Sequence, residues 1–243
     1  MVIESTHLGI VCPMANEQKT AEKFIRELLY VCDKFERLNV FTIFDNACSD
    51  NTYDILCKLS REDDRINAIF APENKCVVDA YVRGYREALS AGCDWILEID
   101  AGYSHRPSDF MKFREKLSDG NFDCIFGSRF CDDGSLTDAS WKRYLISKGG
   151  TTITNLILGT TLTDMTSGYQ LFKREALQSI LEKGIKSRAH FFQTEMKAYC
   201  RNMKITEVPI HYEAPSSSVN HKIVFDAFYH LARLFKMRLS GTL

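Results

Sequence analysis

The 243-residue sequence lacks the features that define several large classes of protein. It has nine cysteines but no C-x-x-C pair, and an odd number cannot pair completely into disulfides. Several cysteines, such as Cys12, Cys93 and Cys124, lie in or beside apolar runs, where the thiol acts as a small hydrophobic group. We therefore expect reduced thiols rather than a disulfide scaffold or a zinc site.

No apolar run approaches the ~18 residues that a bilayer-spanning helix requires. The first residues, "MVIESTHLGIVCP", contain neither the basic segment nor the long apolar segment of a signal peptide. The net charge of −1 gives no reason to expect a nucleic acid partner. These absences predict a cytoplasmic protein that is soluble or lies on a membrane surface.

The sequence also lacks internal repeats, low-complexity tracts and a long linker, which favours one domain over residues 1–243. Its first half alternates short apolar runs with amphipathic segments. This β-α-β-α order predicts an α/β fold, with a mainly parallel sheet between helices. The predicted strands are "LGIVCP", "VFTIFDN", "INAIFAP", "WILEID" and "FDCIFGSRF".

The second half is less regular. We predict a helix over "WKRYLISKGGTTITNLILG", a short strand and helix start in "DMTSGYQLFKREAL", and a helix over "FFQTEMKAYCRN". The alternating segment "KITEVPIHYE" is expected to pair antiparallel with the sheet, followed by a polar loop, "APSSSVN". The last segment, "HKIVFDAFYHLARLFKMRL", predicts a basic amphipathic helix with Val224, Phe228, Leu231 and Phe235 on its apolar stripe.

Polar residues stand where the predicted strands end, which is where open α/β sheets bind ligands. Asp45 and Asp100 end the second and fourth strands and could meet in one crevice. There they could bind a base or ribose, or ligate a hard divalent cation. Alternatively, each carboxylate caps the helix or turn that follows it.

A second group is cationic. Arg129 ends the fifth strand, while Arg143 and Ser147 are four residues apart on one helical face. Arginine matches phosphate oxygens with two parallel hydrogen bonds, so this group predicts a phosphate site. The alternative is a pair of solvated surface arginines.

Nine motifs in order, including "CPMANE", "IFDNACSDNT", "EIDAGYSHRPSDF", "DCIFGSRF" and "WKRYLISKGG", resemble the family 2 glycosyltransferases of GT-A fold. Within that family the sequence is most similar to the polyprenyl-phosphate sugar synthases, over roughly residues 7–213. The resemblance implies a nucleotide-sugar half at 1–130, an acceptor half at 131–220 and the C-terminal helix at 221–243.

The resemblance also implies residue roles. The nucleotide-sugar pocket would include Pro13, Glu17, Asp45, Asn46, Asn74, Lys75 and Asp100. The acceptor side would include Arg129, Arg143, Ser147 and Gln193. Asp164 and Glu195 match family positions around the acceptor, where either could act as base toward a hydroxyl. His105 follows the Asp-x-Asp position, with helix-entry packing or capping as the alternative.

The sequence departs from the family pattern at several positions. Ala15 replaces an aromatic residue, Cys76 an expected glycine, and Gly102 the second carboxylate of Asp-x-Asp. Asp100 alone would hold Mg²⁺ or Mn²⁺ weakly, so the metal requirement would be weak or dispensable. Ser104, Glu98 or another carboxylate could take the missing place, although Glu98 is also explained as a buried partner of a lysine or arginine.

The implied activity is transfer of a sugar, with inversion, from a GDP- or UDP-sugar to a polyprenyl phosphate of dolichyl or undecaprenyl type. An anionic phosphate is already nucleophilic and needs neutralisation and alignment rather than a strong base. The alternatives are transfer to a saccharide hydroxyl in surface polysaccharide assembly, and a catalytically impaired protein that binds nucleotide sugars. The C-terminal helix 221–243 would contact a membrane peripherally, or else pack on its own domain.

Overall fold

A computed structural model describes residues 4–137, 141–213 and 221–243; the side chains of 142–143 and 221–224 are not described. The predicted polar loop at 214–220 therefore lies outside the described residues. Strands and helices alternate through the first half, as predicted. They are β1 (His7–Pro13), α1 (Ala21–Val31), β2 (Arg37–Phe44), α2 (Thr52–Glu62), β3 (Ile66–Phe70), α3 (Val77–Ser90), β4 (Trp95–Glu98), α4 (Phe110–Ser118) and β5 (Cys124–Ser128).

The second half adds elements around the sheet. They are β6 (Ser135–Thr137), α5 (Trp141–Leu158), β7 (Gln170–Lys173), α6 (Arg174–Lys183), α7 (Phe192–Tyr199), β8 (Ile205–Pro209), β9 (His211–Glu213) and α8 (His221–Leu239). The helices predicted over "WKRYLISKGGTTITNLILG" and "FFQTEMKAYCRN" are confirmed as α5 and α7.

Seven strands form one sheet in the order β3-β2-β1-β4-β7-β5-β8, and β6 pairs with β9 in a separate two-stranded sheet. The mainly parallel sheet is confirmed, but the predicted antiparallel pairing of "KITEVPIHYE" is wrong. Its first part, β8, pairs parallel with β5, and its second part, β9, pairs parallel with β6. The antiparallel strand is β7, between β4 and β5. Alternating hydrophobicity identifies a strand but carries no information about its direction.

Helices cover both faces of the sheet. Apolar residues of α1, α2 and α4 pack on one face, and those of α3, α6, α7 and α8 pack on the other. Helix α3 lies very close to the sheet at Gly84, because a Cβ there would clash with Val11 and lie 2.7 Å from Cδ1 of Ile43. All nine cysteines are free, as predicted, and Cys12, Cys93 and Cys124 are buried.

The residues predicted for the apolar stripe of α8 differ in their exposure. Leu231 is buried together with Leu234, but Phe228 and Phe235 are exposed, and the side chain of Val224 lies outside the described residues. The helix packs through the His230–Leu231–Leu234 side because Arg233 reaches inward to the Glu195 carboxylate of α7. Among the described residues, no helix has both the length and the apolar composition needed to cross a membrane.

Candidate active site

The predicted strand-end residues lie along one edge of the sheet. Pro13 ends β1, Asp45 follows β2, Asp100 follows β4, and Arg129 follows β5. Strands β1, β2 and β4 are mutually parallel, and β5 has the same direction because β7 is antiparallel to both β4 and β5. Their carboxyl ends therefore open on one side, as expected for a ligand crevice.

Two loops at this edge are joined by side-chain hydrogen bonds. Asn16, which adopts a positive φ of 61°, donates from Nδ2 to the carbonyl of Ala47 at 2.9 Å. The backbone N–H of Glu17 donates to Oγ1 of Thr52 at 2.7 Å. Asp45 accepts the Ala47 N–H at 2.8 Å, so its carboxylate also orders its own turn. These hydrogen bonds hold the loops after β1 and β2 together on one side of the predicted nucleotide pocket.

The loop after β3 continues this side of the predicted nucleotide pocket. Asn46 donates to the carbonyl of Pro72 at 3.3 Å, which joins the second and third loops. Nδ2 of Asn74 is buried and has no hydrogen-bond partner among the described residues. Lys75 is exposed beside it. An unpaired buried donor costs free energy, so Asn74 is a candidate to contact a ligand.

Asp100 lies at the centre of the edge and is held by residues of two elements. Tyr81 of α3 donates its hydroxyl to Oδ1. The Asp100 N–H donates to Nδ1 of His105 at 3.2 Å, and this ring packs against Tyr169 and Tyr212. Burial lowers the pKa of His105 to about 4, so the ring is neutral at pH 7. Its ring contacts agree with the packing role that the sequence left open as the alternative. The Asp100 side chain remains 36% exposed and faces the opening.

Beneath Asp100 lies a buried polar network that sequence reasoning did not identify. Glu98 is fully buried, accepts the Tyr85 hydroxyl, and lies 3.4 Å from Nε2 of Gln170. Burial raises the pKa of Glu98 to about 8, so it is protonated at neutral pH. Its hydrogen-bond partners are therefore neutral groups rather than the lysine or arginine expected from sequence. Gln193 accepts from Gln170 in the same network, which places it in the floor of the site rather than on an acceptor surface.

Glu98 makes stability depend on pH. The folded protein keeps this proton up to pH about 8, whereas an unfolded glutamate loses it near 4.5. The folded state therefore binds an extra proton between these values, and its stability falls as pH rises through that window. We expect the melting temperature of Glu98→Gln, relative to wild type, to be higher at pH 8 than at pH 5 by about 5 °C or more. Differential scanning calorimetry would measure this, with exposed Glu175→Gln as control; parallel pH curves for Glu98→Gln and wild type would contradict the assignment.

Arg129 and Asp164 form a buried ion pair at the other end of the edge. Nε of Arg129 lies 2.7 Å from Oδ2 of Asp164, and one Nη lies 2.9 Å from Oδ1. Burial alone would raise the pKa of Asp164, but the Arg129 guanidinium outweighs it and holds that pKa well below its usual range. Lys197 of α7 donates to the Asp164 carbonyl at 2.7 Å. Asp164 therefore orients Arg129 and is not free to act as a base.

Helix α5 brings a second cation to this end. The Phe130 ring has the Arg129 guanidinium 5.2 Å and the Lys148 ammonium 4.8 Å from its centroid. Ser147, one residue before Lys148, is partly buried on the same turn. The side chain of Arg143 lies outside the described residues, although its backbone belongs to α5. The acceptor roles of Arg129, Arg143 and Ser147 stay predictions, and Lys148 is a further cation at this end that the motifs did not single out.

Glu195, the other predicted base, lies in a buried network of internal contacts. Its carboxylate is fully buried, accepts the N–H groups of Lys186 and Ser187, and pairs with Arg233 of α8. Tyr199 also donates to it at 2.9 Å. Every oxygen is engaged in anchoring the 186–187 loop and α8 to α7. Glu195 therefore holds the second half of the fold together and has no oxygen available for a substrate.

Comparison with known families identifies this arrangement. Residues 9–181 match the model of the family described as "Glycosyl transferase family 2". The chain belongs to glycosyl transferase family 2. The resemblance found in the sequence motifs is confirmed, and the protein is a glycosyltransferase.

Two curated relatives of this family 2 glycosyltransferase cover most of its length. It is 29% identical over 196 residues to the undecaprenyl-phosphate mannosyltransferase of Micrococcus luteus, covering 79% of this chain and 80% of that protein. It is 26% identical over 204 residues to the polyprenol monophosphomannose synthase of Mycolicibacterium smegmatis, covering 83% of this chain and 75% of that protein.

The fold also matches a solved structure. Glucosyl-3-phosphoglycerate synthase from Mycobacterium tuberculosis, in complex with Mn²⁺ and UDP-glucose, superimposes with a TM-score of 0.67 at 16% identity. The match covers 97% of this chain and 80% of that one. At this identity the match establishes the shared fold, and the predicted GT-A α/β architecture is confirmed.

The donor atoms near Gly102 test whether a divalent cation suits this family 2 site. Within the described part of the chain, no group of three His, Cys, Asp or Glu side chains converges as a metal site. Gly102 has a φ of 72°, and a Cβ added to it would lie 2.6 Å and 2.9 Å from the two Glu17 carboxylate oxygens. The place beside the missing Asp side chain is therefore filled by another carboxylate. Together with half-exposed Asp100 this supplies hard oxygen donors, which fit Mg²⁺ or Mn²⁺ completed by phosphate and water.

Proposed function

We propose that this family 2 glycosyltransferase moves a sugar from a nucleotide sugar to a polyprenyl phosphate, with inversion at the anomeric carbon. One observation favours a phosphate acceptor: among the described residues, two cations lie together at this end, and both of the predicted bases, Asp164 and Glu195, are engaged by arginines. Arg129 and Lys148 flank Phe130, while Asp164 and Glu195 are both consumed by ion pairs. A hydroxyl acceptor needs a base to remove its proton, whereas a lipid phosphate is already an anion. The names of the two curated relatives agree with this acceptor.

The chemical roles follow from the positions of the groups. Sugar departure leaves negative charge on the nucleoside diphosphate, which must be stabilised where it develops. A divalent cation, when bound at Asp100, would supply that stabilisation as a Lewis acid. The loops after β1, β2 and β3 hold the nucleotide, and Asn74 offers it an unpaired donor. Lys148 neutralises the incoming phosphate, and Arg129, whose charge is balanced by Asp164, aligns it. The phosphate attacks from the side opposite the diphosphate.

Transfer of label into an organic-soluble product tests this function. The purified protein is incubated with radiolabelled GDP-mannose, other GDP-sugars or UDP-sugars, and a short polyprenyl phosphate in detergent. We expect one donor to label the lipid phase, and expect Arg143→Ala to reduce labelling by about 100-fold or more, because one guanidinium on the acceptor phosphate is lost. Donor affinity of Arg143→Ala, measured by calorimetry, should stay within about twofold of wild type.

Three outcomes would contradict the proposal. Labelling of a saccharide acceptor in place of the lipid would establish the polysaccharide alternative. Donor binding without turnover, with or without Mn²⁺, would establish the impaired binding protein. A loss of donor affinity in Arg143→Ala as large as the loss of transfer would remove that residue from the acceptor side.

We also propose that the cytoplasmic membrane face is contacted by an apolar surface of α5 and α8. Exposed large side chains cluster on these two packed helices; they are Trp141, Tyr144, Leu145, Ile146, Ile153 and Leu156 of α5, and Phe225, Phe228, Tyr229 and Leu239 of α8. The basic charge expected of α8 contributes less, because Arg233 pairs with Glu195 and Arg238 donates to the carbonyl of Ile157. Lys148 belongs to the same helix as exposed Leu145 and Ile146, so we expect the chain of a lipid phosphate bound at Lys148 to lie beside this surface.

Vesicle binding measures this contact. Phe228→Ser removes a 62% exposed ring from the proposed surface, and Tyr30→Ser removes a 77% exposed ring from α1 as a matched control. Burial of a phenylalanine side chain is worth about 1.5–3 kcal/mol, so we expect Phe228→Ser to lower partitioning onto anionic vesicles by about tenfold or more. Tyr30→Ser should partition as wild type. Equal loss in both variants, or none in Phe228→Ser, would contradict the assignment.

A further inference from the structure

The loop after β4 has an opening where the family pattern places a second carboxylate. Asp100 is present, but position 102 is glycine, and its φ of 72° lies in the left-handed region. The Glu17 carboxylate fills the adjoining space, since a Cβ on Gly102 would lie within 3.0 Å of Oε1, Oε2 and Cδ. A side chain at position 102 and the present position of Glu17 therefore exclude each other.

Glu17 reaches this place from a different loop. Strands β1 and β4 are adjacent and parallel, with Val11 beside Glu98, so the loops that follow them lie side by side at the same edge. Oγ1 of Thr20 donates to Oε2 of Glu17 at 2.6 Å, and the Glu17 N–H donates to Thr52. These contacts fix the backbone and one carboxylate oxygen. No described residue donates a hydrogen bond to Oε1, the oxygen nearest the Gly102 position.

The two carboxylates share one neighbourhood, because the loops that carry them follow the adjacent strands β1 and β4. Cys12 is the buried residue before Pro13 in β1, and burial first, then the negative charges of Asp100 and Glu17, raise its pKa well above the usual value. Two anions beside each other repel, and a divalent cation between them removes that repulsion.

The other candidates for the missing ligand are less suitable. Glu98 is fully buried and hydrogen-bonds Tyr85 and Gln170 below the crevice. Ser104 offers a neutral hydroxyl, which is a weaker ligand for a hard cation than a carboxylate. Among the described residues near Gly102, Glu17 is the one whose carboxylate lies against it.

We propose that Glu17 supplies the second carboxylate ligand of the divalent cation, in place of the aspartate that Gly102 has lost. The inference rests on the proposed use of a nucleotide sugar. It reassigns Glu17 from the nucleotide pocket to the diphosphate–metal site. It also changes the expected metal behaviour, because a site with two carboxylates binds its cation more tightly than one with Asp100 alone.

Mn²⁺ binding, followed by the electron paramagnetic resonance signal of free Mn²⁺ in the presence of UDP or GDP, tests this directly. We expect wild type to bind Mn²⁺ and Glu17→Gln to bind it about tenfold more weakly or worse. Glu22→Gln, an exposed change on neighbouring α1, is the control and should match wild type. The double variant Glu17→Ala/Gly102→Asp should recover most of the affinity, because the removed side chain frees the space and aspartate tolerates a positive φ.

Nucleotide binding in EDTA separates this role from a nucleotide contact. There, Glu17→Gln should bind UDP or GDP within about twofold of wild type, since its defect needs the cation. Equal weakening with and without metal would show that Glu17 touches the nucleotide and would overturn the inference. Unchanged Mn²⁺ affinity in Glu17→Gln, no Mn²⁺ binding by wild type, or no recovery in a folded double variant would overturn it as well. Label transfer to lipid by the wild type in the presence of Mn²⁺ tests the proposed function separately, because that result does not depend on which side chain holds the cation.

Discussion

Asp100→Asn is expected to lower sugar transfer by about two to three orders of magnitude while changing the melting temperature by less than about 3 °C. The Asp100 side chain is 36% exposed and makes its main hydrogen bond with the Tyr81 hydroxyl, which an asparagine oxygen can also accept. The change therefore removes a charge at the crevice without removing a buried partner. Loss of that charge weakens the cation that would balance the departing diphosphate.

Steady-state transfer rates with saturating donor measure this effect. Asp119→Asn, at the exposed end of α4, provides the matched control and should retain full activity. Tyr81→Phe should lose about tenfold, because Asp100 keeps its charge but loses the hydroxyl that orients it. Asp100→Asn with more than about a third of wild-type transfer would show that the carboxylate is not part of the diphosphate site.

The position of Asp100 could be predicted from the sequence because it depends on local order. Apolar runs alternate with amphipathic segments, and parallel strands bring their carboxyl ends to one edge. Pro13, Asp45, Asp100 and Arg129 consequently share that edge in the structure. The motif order then supplied the family, which neither composition nor periodicity could have supplied.

Other residues could not be assigned from sequence because their environment is set by tertiary packing. Helix α7, "FQTEMKAY", has polar residues on more than one face, yet all eight of its residues are buried. Its Gln193, Glu195 and Lys197 have internal partners, and these contacts do not favour the acceptor roles predicted for Gln193 and Glu195. The four-residue spacing of Tyr81 and Tyr85 was a usable signal, since it places both hydroxyls on one helical face beneath the strand ends.

The relation between Glu17 and Gly102 shows a different limit. The two residues are far apart in sequence. Read from the sequence alone, Glu17 is an ordinary glutamate and Gly102 a separate departure from the family pattern. Their connection exists only because β1 and β4 are neighbours in the sheet. The effect of the glycine at position 102 could therefore be judged only from the structure, which shows the Glu17 carboxylate beside it.

The Arg129–Asp164 pair gives the largest expected effect on stability. Asp164 is fully buried and Arg129 is 6% exposed, so each charge depends on the other. Asp164→Asn leaves the guanidinium without its counter-charge, which typically costs about 3–5 kcal/mol in a buried pair. For a chain of this size we expect the melting temperature to fall by about 10 °C, and transfer to fall by about 100-fold or more as Arg129 loses its orientation.

A double variant separates folding from catalysis. Arg129→Met/Asp164→Asn removes both charges, and its single amide oxygen can accept the backbone N–H of residue 129 or that of Thr166 but not both, so we expect it to recover about half of the lost melting temperature. Transfer should stay about 100-fold or more below wild type, because the Arg129 guanidinium that aligns the acceptor phosphate is gone. If the folded double variant regained transfer to polyprenyl phosphate, the ion pair would be a structural element, and Lys148 with Arg143 would have to bind the acceptor without it.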